Sequence, residues 1–190
     1  MVSVIVPNYN HEAYLSQRLD SILNQSYQNF EVIILDYCST DNSRNVIEQY
    51  RTNSKVSHIV YNTVNSGTTF KQWEMGINLS KGTYIWIAES DDWCEPTLLE
   101  NLVAAIENTP NCTLAYCQSL MINEDERIIY HSHHSKLVEA IDGKQFVSNY
   151  MIERNAVFNA SMAVFKKSCF YQVFSEYLNY KFCGDWLFWA

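Results

Sequence analysis

The sequence predicts an α/β fold built on an open, mostly parallel sheet, and three observations carry that expectation. Short apolar runs recur along the first half, each suited to a strand buried on both faces. Segments with leucine, isoleucine and valine at helical spacing separate them, which is the βαβ rhythm of a parallel sheet. Each apolar run stops at a polar cluster, and ligands of such sheets bind outside the carboxyl ends of the strands. With 190 residues, 47% of them hydrophobic, the chain can bury one sizeable core.

Val2-Ser3-Val4-Ile5-Val6 is the first strand, stopping at Pro7-Asn8-Tyr9-Asn10. Leu15, Leu19, Ile22 and Leu23 then define an amphipathic helix to about Gln25. Phe30 to Leu35 is the second strand, ending at Asp36, and the run Cys38 to Ser43 offers N-cap residues for a helix carrying Val46, Ile47 and Tyr50. Ser57 to Tyr61 reads as a third strand, Phe70 to Leu79 as a third helix, and Tyr84 to Ala88 as a fourth strand closed by Glu89-Ser90-Asp91-Asp92. A helix from Pro96 to Asn108 follows. Beyond it the rhythm changes. Thr113 to Ile122 and Ile128 to Tyr130 read as a hairpin, Gly143 to Ile152 and Lys167 to Tyr177 as helices, and Ala160 to Phe165 as a strand, so the second half is α+β.

Net charge is -8 and the only close basic pair is Lys166-Lys167, which argues against nucleic-acid binding. Six cysteines, with no C-x-x-C pair, read as reduced thiols of a cytosolic protein. The opening apolar run lacks a basic flank and is too short for a signal peptide, and no stretch reaches the length of a transmembrane helix.

Glu89-Ser90-Asp91-Asp92 is the sharpest chemical signal. Carboxylates at a strand end can hold a hard cation through oxygen, and Mg2+ or Mn2+ there neutralises the charge that develops on a departing diphosphate. The plainer alternative is a solvated acidic turn. Asp36, at the end of the second strand, is placed to accept from a nucleobase N–H or a ribose hydroxyl. Tyr9 can stack on a base ring or serve as a packing staple. Lys71 is either a diphosphate partner or a solvated helix lysine. Asp185 stands among Phe182, Trp186, Phe188 and Trp189, surroundings that raise a carboxyl toward the range of a working base; the alternative is a helix N-cap. His131, His133 and His134 have no carboxylate or cysteine partner nearby and read as surface residues.

Taken together, these residues resemble the inverting family 2 glycosyltransferases with the GT-A fold. The resemblance is carried by Val2 to Asn10, by Gln25-Ser26-Tyr27-Gln28-Asn29-Phe30-Glu31, by Ser39-Thr40-Asp41, by Gly82-Thr83-Tyr84-Ile85 leading to Ser90-Asp91-Asp92, and by Gly184-Asp185-Trp186. It implies that a sugar moves with inversion from a nucleoside diphosphate, with UDP expected, to a glycan or lipid-linked acceptor. It also implies that Pro7, Asn8, Tyr9 and Asp36 line the nucleoside pocket, with Asp41 a weaker carry-over. Ser90 and Asp91 would serve ribose and diphosphate, Asp91 and Asp92 the metal, and Asp185 the base. Residues 1–110 would form the nucleotide-sugar half and 111–190 an acceptor-side half that ends early. Cytoplasmic work at the inner face of a bacterial membrane, with peripheral association, fits such acceptors. Asp36-Tyr37-Cys38 departs from the acidic pair usual after the second strand, and Glu89 stands where the family often has Asp. Two other readings stay open: a sugar-nucleotide-binding module without turnover, and a nucleotidyltransferase, which Pro7-Asn8-Tyr9-Asn10 disfavours by lacking a glycine-rich phosphate loop.

Overall fold

β1 (Val2–Asn8) is buried at every position, and its side chains alternate between two cores. Val2, Val4 and Val6 pack to one face with Leu15, Leu19 and Ile22, while Ile5 packs to the other with Phe70, Trp73 and Ile77. This is why the run reads as continuously apolar: a strand covered by helices on both faces has no solvent side. The computed structural model describes residues 1–65, 67–125, 127–132, 139–173 and 175–190.

α1 (Glu12–Leu23) follows β1, then β2 (Phe30–Asp36), α2 (Ser43–Gln49), β3 (Val56–Tyr61), α3 (Thr69–Leu79), β4 (Tyr84–Ile87) and α4 (Leu98–Asn108). The strands β1 to β4 are parallel, and the six-stranded sheet has the order β3-β2-β1-β4-β8-β5. α1, α2 and α4 contribute to the core on one face, and α3 to the core on the other. At the amino ends of the strands, Ser3 Oγ donates to Glu31 Oε1 at 2.6 Å, and the Gly82 N–H donates to Ser3 Oγ at 2.8 Å. A Cβ on Gly82 would stand 2.6 Å from the Ser3 nitrogen, so only glycine lets the chain pass there.

The second half departs from the expected pattern in three places. The apolar run 113–122 is two strands, not one: β5 (Leu114–Tyr116) joins the main sheet, and only β6 (Leu120–Ile122) forms the hairpin with β7 (Ile128–His131). The run 160–165 begins as a 3-10 turn, Ala160–Met162, before β8 (Ala163–Lys166), which runs antiparallel between β4 and β5. The helix expected over 167–177 is only α6 (Lys167–Phe170), followed later by a 3-10 turn, Ser175–Asn179. Helical spacing there reflects aromatic contacts to the core, not one continuous helix: Tyr177 packs on Phe70 and Phe188, and Phe170 on Phe188. α5 (Gly143–Phe146) continues as a π-helical turn, Val147–Met151, and α7 (Gly184–Trp189) closes the second core. Pro7 and Asn8 lie inside β1 instead of ending it. The six cysteines are free. Among the described residues no helix is long and apolar enough to cross a membrane.

Candidate functional site

Parallel pairing brings the strand ends level. Asn8 lies opposite Asp36 across β1 and β2, and Ile5 opposite Ile87 across β1 and β4. The three polar clusters therefore meet at one edge, as the strand order requires. Asn8 Nδ2 donates to Asp36 Oδ2 at 3.0 Å and to Ser39 Oγ at 3.2 Å. Ser39 Oγ also accepts from the Asn10 N–H at 3.0 Å, and Asn10 Oδ1 accepts the Thr40 N–H at 2.8 Å. His11 Nδ1 lies 2.8 Å from Ser90 Oγ, joining the loop after β1 to the end of β4.

Asp36 is completely buried, and both of its oxygens are engaged: Oδ1 accepts the Ser39 N–H at 3.1 Å and faces Arg44 Nε at 3.6 Å. Beside it Tyr9 and Tyr37 stack with centroids 5.0 Å apart and planes 18° apart. Burial, with the charge of Glu89 next, pushes the Tyr37 hydroxyl up to about 12, so it stays protonated. Asp41 accepts the Glu12 N–H at 2.9 Å through one oxygen and the Ser43 N–H at 3.0 Å through the other, which shapes the loop between β2 and α2. Burial would raise its pKa, but these hydrogen bonds outweigh burial and hold the carboxyl below its ordinary value.

The turn after β4 presents three acids in different settings. Asp91 is exposed, and Asp92 is half-buried with its Oδ2 accepting from Asn159 Nδ2 at 2.8 Å. Glu89 turns inward, where its Oε1 accepts the Trp73 indole N–H at 2.8 Å and lies 3.4 Å from Thr69 Oγ1. Burial, reinforced by the charges of Asp91 and Asp92 against the indole hydrogen bond, pushes the Glu89 carboxyl up to about 8. Behind the turn lies Arg18, fully buried on α1. Its Nη2 donates to Ser161 Oγ at 2.9 Å, and its guanidinium sits 4.9 Å from the centre of the Trp86 ring. Burial lowers the Arg18 pKa, opposed by Cys94, Asp92, Glu89 and Asp91 in that order. A guanidinium still carries its charge there, so it offsets part of the acidity in front of it.

Asp185 stands in the first turn of α7, after Cys183 in a left-handed conformation. It is half-buried, and its Oδ2 accepts from Asn155 Nδ2 at 2.7 Å. Burial raises its pKa against backbone hydrogen bonds from Trp186 and its own N–H and that from Asn155. Of the aromatic residues expected around it, Phe188 is buried and Trp186 and Trp189 are half-buried, but Phe182 is 82% exposed. Lys71 is exposed on the first turn of α3. His131 is exposed, and His133 and His134 lie outside the described residues.

Sequence reasoning overlooked Arg18, Thr69, Trp73, Asn155, Asn159 and Ser161. Arg18 gives a signal in retrospect, as a charged residue on the apolar stripe of α1 beside Leu15, Leu19 and Ile22. The asparagines give none, because the acids they touch are distant in the chain.

A family model for glycosyl transferase family 2 matches residues 3–174. The chain belongs to that family. Among family 2 relatives, it is 32% identical over 126 residues to the putative teichuronic acid biosynthesis glycosyltransferase TuaG of Bacillus subtilis, covering 66% of this chain and 49% of that protein. Among solved structures, Staphylococcus aureus TarS 1–349 in complex with UDP superposes with a TM-score of 0.72 at 21% identity, over 99% of this chain and 53% of that one. The mannosyltransferase PcManGT from Pyrobaculum calidifontis in complex with GDP-Man and Mn2+ superposes with a TM-score of 0.61 at 21% identity, over 90% of this chain and 46% of that one. The family 2 fold of this chain is thus GT-A, and the chain spans about half the length of the proteins it matches.

Proposed function

We propose that this protein transfers a sugar, with inversion, from a UDP-sugar to a hydroxyl of a glycan or lipid-linked acceptor. The observation that carries the reading is the meeting of Asn8, Tyr9, Asp36, Ser90, Asp91 and Asp92 at the carboxyl edge of the parallel strands, inside a family 2 domain. UDP is the nucleotide bound in the TarS structure, and the fold is shared. Residues 1–110 serve the donor and 111–190 the acceptor. Tyr9 borders the nucleoside pocket, with Pro7, Asn8 and Asp36 buried in its wall; Asp41 sets its loop, and Ser90 and Asp91 serve ribose and diphosphate, with Lys71 a further diphosphate contact.

Asp91 and Asp92 would hold Mg2+ or Mn2+. The donor set fits: both ligands are hard carboxylate oxygens, and no group of three or more ligand side chains is gathered among the described residues. That pattern suits a cation completed by substrate phosphates more than an all-protein cage. When bound, the cation supplies Lewis-acid neutralisation of the diphosphate. Asp185 takes the proton of the acceptor hydroxyl as that oxygen bonds to the anomeric carbon. The bond from that carbon to the diphosphate oxygen breaks in the same step, and its electron pair leaves with the nucleotide. A single in-line displacement inverts the configuration and forms no covalent intermediate. The hydrogen bonds among Asn8, Asn10, Ser39 and Thr40 tie the end of β1 and the loop after it to the loop after β2.

The test is calorimetric titration of UDP, GDP and dTDP with Mn2+ and then with EDTA, repeated on Asp91→Ala/Asp92→Ala. Metal-dependent binding of UDP that disappears in the double variant is expected. Equal affinity with EDTA, or in the double variant, refutes the metal assignment, and preference for GDP or dTDP refutes the donor assignment.

A further inference from the structure

The acids assigned to metal and to proton transfer are far apart in sequence, yet one short stretch reaches both. Asn155 Nδ2 donates to Asp185 Oδ2 at 2.7 Å, and Asn159 Nδ2 donates to Asp92 Oδ2 at 2.8 Å. Ser161 Oγ accepts the Glu89 N–H at 3.0 Å and Arg18 Nη2 at 2.9 Å, and its carbonyl accepts the Trp86 indole N–H at 2.8 Å. The stretch is anchored along its length. Ala156, Val157 and Ala160 are buried, and Asn159 Oδ1 caps the next turn by accepting the Ser161 N–H at 2.8 Å. It then runs into β8, which pairs with β4, the strand that delivers Glu89 to Asp92.

We propose that residues 155–161 are a positioning strap: Asn159 orients Asp92 for the divalent cation, and Asn155 orients Asp185 for the acceptor hydroxyl. The inference rests on the roles given to Asp92 and Asp185 under Proposed function. Neither asparagine touches the reacting atoms. A neutral amide suits this task, because its N–H fixes the rotation of a carboxylate without cancelling the charge that the cation or the proton needs. Each contact occupies Oδ2 and leaves Oδ1 outside it. Asn155 Oδ1 is itself buried with no hydrogen-bond partner among the described residues. A buried unpaired amide oxygen costs stability, so the bond that Asn155 makes through Nδ2 to Asp185 is what its placement serves.

Mn2+ binding to the full chain is measured from the EPR signal of the free ion with UDP present, and release of UDP from UDP-N-acetylglucosamine with water as acceptor gives kcat and KM. Asn159→Ala is expected to weaken Mn2+ binding by about 10- to 100-fold. Asn159→Ser, which keeps a capping oxygen but is too short to reach Asp92, is expected to match it while melting like the parent. Asn155→Ala and the isosteric Asn155→Asp are expected to leave Mn2+ affinity and KM unchanged and to lower kcat by about 10- to 100-fold. A purely structural strap would move both readouts together in every variant, and that result, or parental values in all four, overturns the proposal. Asp92→Ala and Asp185→Asn are the controls. If they lose Mn2+ binding and turnover respectively while the asparagine variants do not, only the strap fails; if the controls or the parent show no such dependence, the acid assignments fail and the strap with them.

Discussion

At the ends of β1 and β2, polar side chains are placed by the paired strands and by the loops directly following, as Asn8 is by Asp36 and Ser39. Around Asp185 and Asp92 the placement comes instead from a separate stretch, residues 155–161, that belongs to neither element. The first arrangement is nearly self-contained, because parallel pairing levels the strand ends. The second depends on β8 inserting antiparallel beside β4. The proposed nucleotide edge should accordingly keep its shape when the second half is perturbed, whereas the proposed proton transfer should fail first.

The strongest break of that contrast is Asp185→Asn, which should lower turnover by about 10²- to 10⁴-fold while UDP affinity holds, as read by kinetics and calorimetry on one preparation. Equal loss of both would erase the distinction. The proposed base also gives a pH signature. Its pKa is raised by burial, and a base works only when ionised, so activity is lost as pH falls through a value above the ordinary carboxylate of about 3.9. The acid limb of kcat/KM should lie above that value.

Arg18→Ala tests the link between the two regions, since Arg18 sits on α1 and bonds Ser161. Loss of a fully buried guanidinium and its packing should cost about 3–5 kcal/mol in urea unfolding. A cost near zero would show the regions to be independent. A pair of glycines sharpens the same point at a smaller scale. At Gly184 a Cβ would meet Phe70 at 2.5 Å and the Tyr177 carbonyl at 2.7 Å, and at Gly82 it would meet backbone at the amino ends of the strands. Alanine at either should cost about 1–3 kcal/mol in thermal melts. Only Gly184→Ala, adjacent to Asp185, should also reduce kcat. Asp41→Ala should have the smallest effect, about 1 kcal/mol of stability with turnover little changed, because its contacts are to the Glu12 and Ser43 N–H groups.

Much of the polar edge at the strand ends is legible in the sequence. Apart from the paired Ser3 and Glu31, Val2 to Val6 and Phe30 to Leu35 are apolar on both faces, and the polar residues that end them are the ones found together. Less was legible beyond residue 110. The run 113–122 carries no break signal strong enough to separate β5 from β6, and the aromatic spacing of 167–177 imitates a helix because its rings share one core. The strand-end position of Asp36 and the family resemblance around Asp41 lead one to expect ligand contacts, whereas the structure shows both with their oxygens taken by the protein, as shapers of the loops.

By itself the sequence determined the parallel half, since hydrophobic periodicity and strand-end polarity are local properties that a βαβ chain expresses in order. It also determined which acids follow β4 and open α7. Only the tertiary structure decided that Glu89 turns inward to Trp73 while Asp91 faces solvent, that a buried arginine stands behind them, and that two asparagines hold the acids in place. Those facts depend on which distant backbone the antiparallel insertion of β8 brings near, and periodicity carries no information about contacts of that range.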